Sequence, residues 1–325
     1  MHACNIQSAG ELSWAEVATP EPGLGEVRVR VYAAGVNRAD VLQCAGKYPA
    51  PPGWPASIPG LEYAGEVDAL GPGVAGLALG QRVYGLVGGG AFAEYLVVHH
   101  HALARAPEGL SWAELAALPE AYLTAYDALV LQARARVGTK VLVHAVGSGV
   151  GTAAVQIAYA LGATVVGTAR TEDKLVGAKA LGMHSGICVQ DAQFFDRLRE
   201  QNFVPDVILD LVGGPYVAES LRVLALGGTL MLVGLTGGRE APLDLGLMLS
   251  KRARVIGTVM RSRSLAERIM LHQVLERELS AWFASGACKP VVSETFAMSD
   301  AALALSRLAS NQTFGKLVLL NALVA

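Results

Sequence analysis

The stretch Val141-Leu-Val-His-Ala-Val-Gly-Ser-Gly-Val-Gly151 decides the fold class of this chain. An apolar run leads into glycines at alternate positions, and a second run of small and apolar residues follows them. A buried strand, a tight turn and a helix produce this order of residues. Gly147 and Gly149 let the backbone turn sharply beside a pyrophosphate, and Gly151 lets the helix pack closely on the strand. The stretch therefore predicts a dinucleotide-binding turn, with phosphates at the helix N-terminus.

Strands and helices alternate along the chain after this turn, which indicates a doubly wound sheet. The predicted strands are Lys140–Ala145, Thr164–Thr168, Asp206–Asp210 and Thr229–Val233. The predicted helices begin near Val150, Thr171 and Pro215. Continuous apolar strands between helices mean a parallel sheet that is covered on both faces. The uncharged segment Ala145–Ala169 fits this pattern, and its glycines favour a strand–helix–strand unit over a transmembrane helix.

The end of the second predicted strand indicates which dinucleotide is bound. An NAD site usually has an acidic residue about 20 positions after the glycines, where it holds the ribose 2′-hydroxyl. This chain has Ala169-Arg170 there, and Lys174 lies one turn into the next helix. Two cations favour a 2′-phosphate, so we expect NADPH. Glu172 and Asp173 complicate this interpretation, although both also suit the N-terminus of a helix.

The segments before and after this region have a different character. Up to about Pro119 the chain has short strands and glycine turns, which are typical of a small barrel. The strands expected there are Glu26–Tyr32, Tyr63–Leu70 and Phe92–Val98, with a Pro/Gly-rich loop at Gly46–Gly60. After about Arg261 an amphipathic segment, Leu265–Phe283, precedes strands at Val291–Phe296 and Lys316–Leu320. Periodicity alone does not show whether this last part returns to complete the first domain.

Composition limits the classes of protein to consider. The 325 residues suit two domains, and 26 basic against 28 acidic residues give a net charge of −2. This balance provides no electrostatic reason to expect a nucleic acid or an anionic membrane as partner. The four cysteines, Cys4, Cys44, Cys188 and Cys288, form no Cys-x-x-Cys pair, which favours reduced thiols over disulfides or structural zinc. The start of the chain lacks a signal-peptide pattern, so we expect a cytoplasmic protein.

Further motifs resemble a known superfamily and extend over nearly the whole chain. They are Gly35-Val-Asn37-Arg38-Ala-Asp40, Gly46-Lys-Tyr48, Pro51-Pro52-Gly53, Pro59-Gly60-Leu61-Glu62, Ala117-Leu-Pro119-Glu120-Ala-Tyr-Leu-Thr124, Asp210-Leu-Val-Gly213-Gly214, Met260-Arg261-Ser262-Arg263 and Gly315-Lys316. In this order they resemble the medium-chain dehydrogenase/reductase superfamily, and within it the zinc-free quinone oxidoreductases, closest to the tumour-suppressor-inducible branch. The resemblance implies an NADPH-dependent reductase of small-molecule quinones.

The resemblance also implies an α/β fold with a GroES-like β-rich catalytic domain and a doubly wound Rossmann domain. Residues 1–119 would form the first part of the catalytic domain and residues 120–260 the NADP-binding domain. Residues 261–325 would then return to complete the catalytic domain. The segment Arg254–Val259 is predicted to be a late strand at an edge of the Rossmann sheet. Relatives pair such edges, so we expect a homodimer or a homotetramer.

Zinc is not expected in this chain. In the zinc-dependent relatives a Cys stands in the segment of Asn37 and a His in the segment of Leu61, and neither residue present here is a ligand of that type. The relatives' clustered structural-zinc cysteines are missing as well. His99, His100 and His101 are consecutive, so we expect their side chains to alternate between the faces of a strand end, which does not suit a metal site.

Without zinc, hydride transfer depends on positioning and on a hydrogen-bond donor to the acceptor oxygen, which gains negative charge. We assign that role to Tyr48, which the resemblance places at the active site; a tyrosine packed under its loop is the alternative. Asn37 either caps the following helix or binds the nicotinamide carboxamide, and Ser148 either faces cofactor and substrate or contacts a phosphate. The predicted cofactor-binding residues are Asn37, Thr124, Gly147, Ser148, Gly149, Val150, Gly151, Arg170, Lys174, Gly213, Gly234 and Leu235.

One departure from the family pattern concerns the cofactor. Relatives often have Asn-Tyr after the strand near Ile187, whereas this chain has Cys188-Val189, so the argument for NADPH rests on Arg170 and Lys174. Two other functions stay open. A reductase of activated C=C bonds in enones, alkenals or enoyl thioesters needs the same cofactor and the same donor. A non-catalytic NADPH-binding scaffold or sensor belongs to another class, and the lack of a basic patch argues against an RNA-binding form of it.

Overall fold

The computed structural model of the protein describes residues 1–7 and 11–322. The chain divides into two compact units, of which the first comprises Met1–Leu123 together with Met260–Ala325 and the second comprises Thr124–Val259. Within the described residues no helix is long and apolar enough to cross a membrane. The segment Ala145–Ala169 forms a turn, a helix and a strand, as expected.

The N-terminal part of the first unit is mostly β-structure. Its strands are β1 (His2–Ile6), β2 (Leu12–Glu16), β3 (Glu26–Val36), β4 (Glu62–Leu70), β5 (Arg82–Leu86), β6 (Tyr95–His99) and β7 (Ala104–Arg105). Its helices are α1 (Arg38–Cys44) and α2 (Trp112–Ala116). Helix α3 (Pro119–Tyr126) begins in this unit and continues into the second, where a π-helical turn, Asp127–Gln132, follows it. Strands β1 and β2, which the sequence pattern did not reveal, pair antiparallel as a separate sheet.

Strand β3 organises the core of the first unit. Its sequence alternates polar and apolar residues, and Val27, Val29 and Val31 are fully buried while the residues between them are half-buried. β3 pairs antiparallel with β4 and with β6, and β4 pairs in turn with β5. Branched side chains that pack on one face of a pleated sheet produce this alternation. The half-buried strand predicted from Glu26 is therefore confirmed.

The second unit is a parallel sheet covered by helices. Its strands are β8 (Lys140–Val143), β9 (Thr164–Ala169), β10 (Ser185–Cys188), β11 (Val207–Asp210), β12 (Thr229–Leu232) and β13 (Arg254–Gly257). Its helices are α4 (Gly149–Ala160), α5 (Glu172–Ala180), α6 (Phe195–Glu200), α7 (Pro215–Val223) and α8 (Leu245–Lys251). The strand order β10-β9-β8-β11-β12-β13 is that of a dinucleotide-binding fold, which confirms the doubly wound sheet.

This strand order determines where a ligand can bind in the second unit. The order reverses between β8 and β11, and open α/β sheets bind ligands beyond the carboxyl ends of their strands at such a point. Val141, Leu142 and Val143 of β8 are fully buried, as expected for a sheet covered on both faces. β13 lies at one edge, where the sequence placed it.

The C-terminal part of the chain returns to the first unit. It contains α9 (Leu265–Val274), a π-helical turn (Leu275–Leu279), α10 (Ser280–Ala284), β14 (Val292–Ala297), a 3-10 turn (Met298–Asp300), α11 (Ala301–Ala309) and β15 (Lys316–Leu320). β15 pairs antiparallel with β3 and parallel with β14. The seven-stranded sheet of this unit has the order β14-β15-β3-β4-β5-β7, with β6 paired to β3. The pairing of β15 with β3 thus shows that the last segment returns to the first unit, which periodicity alone does not show.

Candidate functional site

The turn after β8 is closed by Ser148, which caps α4. The Ser148 hydroxyl donates to the backbone oxygen of Ala145 over 2.8 Å and accepts from the N–H of Gly151 over 3.0 Å. A serine at this position satisfies one of the unpaired N–H groups at a helix N-terminus, and Gly149 and Val150 form the first helical residues. The hydroxyl hydrogen of Ser148 is engaged within the turn, so a ligand would meet this hydroxyl as an acceptor.

Close packing requires two glycines of this turn. A Cβ atom at Gly151 would lie 2.3 Å from the backbone oxygen of Ala145, so no side chain fits there. A Cβ atom at Gly147 would lie 2.7 Å from Cδ of Lys174. The aliphatic part of Lys174 therefore covers the glycine turn, and a larger residue at position 147 would displace it.

Arg170 and Lys174 place positive charge next to this turn. Arg170 directly follows β9, and Lys174 lies in the first turn of α5. Burial lowers the pKa of Lys174, and the charge of Arg170 lowers it further. The two cations therefore repel each other, and an anion bound between them would relieve that repulsion. A hydrogen bond with Thr171 lowers the pKa of Asp173 and ties this acid to the start of α5.

The loops after β11 and β12 pack against each other at the carboxyl edge of the sheet. Oδ1 of Asp210 accepts from the N–H of Gly213 over 2.9 Å. Gly213 has a φ of 69°, and a Cβ atom there would lie 2.9 Å from Cδ2 of Leu235, which is half exposed. A Cβ atom at Gly234 would lie 2.5 Å from the oxygen of Leu211. Glycines at both positions therefore allow the two loops to approach each other.

Thr124 is a buried residue with an unused hydroxyl. Its Oγ1 has no hydrogen-bond partner among residues 1–7 and 11–322, although the residue is only 3% exposed. A buried hydroxyl without a partner costs free energy, so this atom is suited to bond a ligand or a water molecule. The capped helix, the glycine turn and the two cations fit the phosphates of an NAD(P) dinucleotide.

In the first unit a buried ion pair joins the C-terminal segment to the start of β4. Nζ of Lys316 lies 2.5 Å from Oε1 of Glu62 and donates to Oδ1 of Asn37 over 2.6 Å. Nδ2 of Asn37 donates to the same Glu62 oxygen over 2.9 Å. Glu62 is fully buried and Lys316 is 6% exposed. Both polar atoms of the Asn37 amide are thus engaged, so a nicotinamide carboxamide would have to share them.

Two further carboxyl groups adjoin this ion pair. Asp40 accepts from the N–H groups of Gly60 over 3.0 Å and Asn37 over 2.8 Å, and burial raises its pKa to about 7. The N–H of Glu120 donates to Oε2 of Glu62 over 2.8 Å. Burial, and then the charge of Glu62, raise the pKa of Glu120 to about 8. The Glu120 side chain therefore keeps its proton through neutral pH and is chemically able to act as an acid.

These residues do not fit a zinc ion. Leu61 is buried and offers no ligand atom. The oxygens of Asn37 and Glu62 already share a cation, the ammonium of Lys316. Zinc in dehydrogenases takes N and S ligands in a tetrahedral set, and the part of the chain that the structure describes contains no group of three or more candidate ligands.

The arrangement expected for the three consecutive histidines is wrong. β6 ends at His99, so His100 and His101 lie in a turn and not on alternate faces of a strand. Their rings lie against one another, with centroids 4.8 Å apart for His99 and His100 and 3.9 Å apart for His100 and His101. Nδ1 of His100 lies 2.7 Å from the oxygen of Gly25. The cluster therefore joins two turns of the first unit.

Tyr48 lies in the loop between α1 and β4, and its ring is half-buried. Among the described residues nothing forms a hydrogen bond with its phenol oxygen. Burial raises the pKa of Tyr48, and the charge of Arg261 opposes this effect. The phenol therefore keeps its proton at neutral pH and can donate it in a hydrogen bond to a ligand.

Sequence analysis did not select Glu62, Glu120, Arg261 or Lys316 as site residues. Each belongs to a motif of the resemblance, but their contacts join segments that are distant in sequence. One signal was available: Lys316 begins the apolar run Leu317–Leu320, and a charge at the start of a buried strand needs a partner. The identity of that partner could not be read from the sequence.

The chain is similar to proteins of known families. Residues 23–108 match the alcohol dehydrogenase GroES-like domain, and residues 149–276 match the zinc-binding dehydrogenase family. Quinone oxidoreductase of Rattus norvegicus is 32% identical over 311 residues, which cover 94% of this chain and 92% of that protein. Erythronolide synthase EryA2 of Saccharopolyspora erythraea is 42% identical over 234 residues, which cover 68% of this chain and 6% of that protein.

Solved structures with the same fold cover nearly the whole chain. Mycobacterial Rv1454c complexed with NADPH has a TM-score of 0.87 at 30% identity, with 98% of this chain and 99% of that chain covered. An NAD-dependent alcohol dehydrogenase has a TM-score of 0.86 at 32% identity, with the same coverage. JamJ enoyl reductase has a TM-score of 0.88 at 25% identity, again with 98% and 99% covered. The similar structures thus differ among themselves in cofactor and in reaction.

Proposed function

Because the chain belongs to the quinone oxidoreductase family of the medium-chain dehydrogenase/reductase superfamily, we propose that it reduces small quinones with NADPH, by hydride transfer and without zinc. Membership of the family makes it an NAD(P)-dependent oxidoreductase, and the choice of NADPH, the quinone and the absence of zinc are the proposed refinements. NADPH would supply the hydride, and a proton would complete the conversion of a quinone to a hydroquinone.

The observation that carries the proposal is the contact between Lys174 and the glycine turn. The stem of Lys174 covers Gly147, and its charge interacts with that of Arg170 at the carboxyl end of β9, where the 2′-group of the adenine ribose would bind. Of the two acids in the first turn of α5, Glu172 and Asp173, the second forms a hydrogen bond with Thr171 at the start of that helix. Two cations favour the 2′-phosphate of NADPH over the 2′-hydroxyl of NADH. One similar structure is an NADPH complex and another is an NAD-dependent enzyme, so the choice of NADPH rests on Arg170 and Lys174.

Lys316 supports a reaction without zinc. Its ammonium group occupies the oxygens of Asn37 and Glu62, which leaves no ligand set for a metal. A hydrogen-bond donor must then stabilise the negative charge on the acceptor oxygen, and Tyr48 has a free phenol for this purpose. Asn37 and Ser148 are proposed as supporting contacts to the cofactor. Asn37 would share its amide with Lys316 and Glu62, and Ser148 would accept a hydrogen bond, because its own hydrogen is donated to Ala145.

Reduction of activated C=C bonds is the second candidate function, and Glu120 is the observation that favours it. Saturation of a C=C bond ends with the transfer of a proton to carbon, which benefits from an acid. Glu120 is a carboxyl group that keeps its proton through neutral pH. The similarity to JamJ enoyl reductase points the same way.

A steady-state assay separates these functions. NADPH and NADH are each tested with a panel of quinones, with a panel of enones and without acceptor, before and after dialysis against a chelator. Quinone turnover that is faster with NADPH and survives the chelator supports the proposal. Turnover of enones alone supports the second candidate, and tight NADPH binding without turnover of any acceptor supports a scaffold or sensor. Loss of activity on chelation, with one zinc per chain before dialysis, would overturn the zinc-free reaction.

A further inference from the structure

Arg261 is a buried arginine that connects three separate segments of the first unit. Its Nε donates to the backbone oxygen of Gly88 over 2.8 Å, and its Nη1 donates to the backbone oxygen of Tyr48 over 2.8 Å. Its Nη2 donates to Oε1 of Gln43 in a short hydrogen bond. Gly88 follows β5, Gln43 lies in α1 and Tyr48 lies in the loop after α1. One side chain, only 6% exposed, therefore fixes these segments relative to one another.

The guanidinium of Arg261 also contacts the ring of Tyr48. Its Cζ lies 5.1 Å from the ring centroid, which is within the range of a cation–π interaction. None of the three oxygens that it bonds belongs to a carboxylate, although the carboxyl groups of Asp40 and Glu120 are near enough to interact with its charge. A positive charge next to a phenol favours negative charge on the phenol oxygen, and the phenol becomes a stronger donor.

Tyr48 is also held by backbone hydrogen bonds at the end of α1, among them that of the Lys47 N–H to the oxygen of Leu42 over 2.8 Å. The loop that carries it contains no helix or strand, and the N–H of Tyr48 donates to the oxygen of Leu42 over a long 3.2 Å. Gln43 holds the same loop from its far side, because its Nε2 donates to the oxygen of Ala56 over 3.0 Å. Farther along the loop, the N–H of Ile6 donates to the oxygen of Ser57 over 2.7 Å, so the bonds of Arg261 to Tyr48 and Gln43 are the contacts that hold the Tyr48 end of the loop.

We propose that Arg261 is a positioning residue for the reduction, which holds Tyr48 in place and strengthens its phenol as a hydrogen-bond donor to the acceptor. This inference rests on the proposed role of Tyr48. Arg261 is proposed to touch neither the acceptor nor the dinucleotide, so its effect reaches the reaction only through Tyr48. A lysine at the same position would keep the charge but could not form the same three hydrogen bonds from a planar fork.

The test is a double-mutant cycle between positions 261 and 48. Arg261→Lys and Arg261→Met are each measured alone and combined with Tyr48→Phe, and kcat, KM for the acceptor and the Kd for NADPH are determined. We expect Arg261→Lys to lower kcat about tenfold and Arg261→Met more, with the Kd for NADPH unchanged. In the Tyr48→Phe background both substitutions should have almost no further effect on kcat. Arg105→Lys, at an exposed arginine of the same unit, is the matched control.

Each outcome of this cycle has a defined meaning. Equal losses of kcat in both backgrounds would mean that Arg261 supports the fold and not Tyr48, and the inference fails while the role of Tyr48 stands. A Tyr48→Phe enzyme with normal kcat would instead refute the proposed role of Tyr48. If the Arg261 variants do not fold, as judged by thermal melting, Gln43→Met takes their place. It removes one acceptor and keeps the charge, and its loss of kcat must likewise disappear in the Tyr48→Phe background.

Discussion

Nζ of Lys316, in the last strand of the first unit, lies 2.5 Å from Oε1 of Glu62, which begins β4 and is fully buried. The lysine also donates to Asn37 and to the backbone oxygen of Val36. The cation therefore satisfies one carboxylate, one amide and one backbone group, all close to the end of β3. Removal of either charged partner leaves the other buried without compensation.

We expect Lys316→Met to lower the free energy of unfolding by about 3–5 kcal/mol, because the Glu62 carboxylate then loses its cation. Adding Glu62→Gln to this variant should restore much of the loss, since a neutral amide needs no counter-charge. Denaturant unfolding measures all three proteins. Arg307→Met, which breaks the more exposed pair of Arg307 with Glu294, is the control and should change stability little. If Lys316→Met and the double variant with Glu62→Gln lose similar amounts of stability, the buried-charge argument is contradicted.

The preference for NADPH depends on Lys174. Lys174→Ala should weaken NADPH binding about 10- to 100-fold, the effect of one charge-assisted hydrogen bond, and should change NADH binding little. Titration by fluorescence or calorimetry gives both dissociation constants. Lys179→Ala, at an exposed lysine in the last turn of the same helix, is the matched control. NADH that binds the unmodified protein as tightly as NADPH does would refute the preference.

Tyr48→Phe should lower turnover and leave the affinity for NADPH nearly unchanged, because the phenol is proposed to contact only the acceptor. Loss of one donor of this kind costs on the order of a hundredfold where charge build-up on oxygen is large. Quinones accept hydride readily, so the loss should be smaller with quinones than with enones. Stopped-flow or steady-state rates on both acceptors provide the comparison. Unchanged rates on both would mean that Tyr48 only packs under its loop.

The raised pKa of Glu120 predicts how stability changes with pH. The folded state holds the Glu120 proton up to about pH 8, whereas the unfolded chain releases it near its ordinary pKa of 4.5. The unfolded state therefore binds fewer protons between these values, and this group's contribution to stability is lost as the pH rises toward 8. Glu120→Gln should remove that loss, so the variant gains stability over the wild type as the pH increases. A difference that stays constant from pH 5 to 9 would contradict the assignment.

The edge position of β13 predicts self-association. An unpaired edge strand exposes N–H and C=O groups, which a second copy of the chain can pair. Light scattering at micromolar concentration should report a homodimer or a dimer of dimers. A monomer that persists as the concentration is raised would refute this expectation.

Local patterns predicted most of the fold, and contacts between distant segments account for what they missed. Strands such as β3 and β8 follow from alternation or from continuous apolar runs, because those patterns reflect burial on one face or on two. The turn at β8 follows from its glycines in the same way. The pairing of β15 with β3 leaves no local trace, so only the resemblance indicated that the last segment returns.

The candidate site was predicted less completely than the fold. Ser148 was selected for its place in the turn, but its hydroxyl caps α4. The glycine motif predicts the turn and does not indicate this capping role. Arg261 was not selected because no sequence pattern marks it as buried, and Lys316 was not selected because its apolar neighbours indicate burial without identifying its partner. The expectation for His100 and His101 was wrong because it assumed strand geometry for all three histidines, whereas β6 ends at His99.

Because β15 pairs with β3, the first unit is built from both ends of the chain, and its sheet stays incomplete until residues 316–320 have been synthesised. The second unit is one continuous segment and can fold on the ribosome while that strand is still missing. Throughout this interval the backbone groups of residues 33–36 that pair with β15 have no partner, and the Glu62 carboxylate is without the ammonium of Lys316. A nascent chain is thus most prone to aggregate between the translation of its middle and of its last strand.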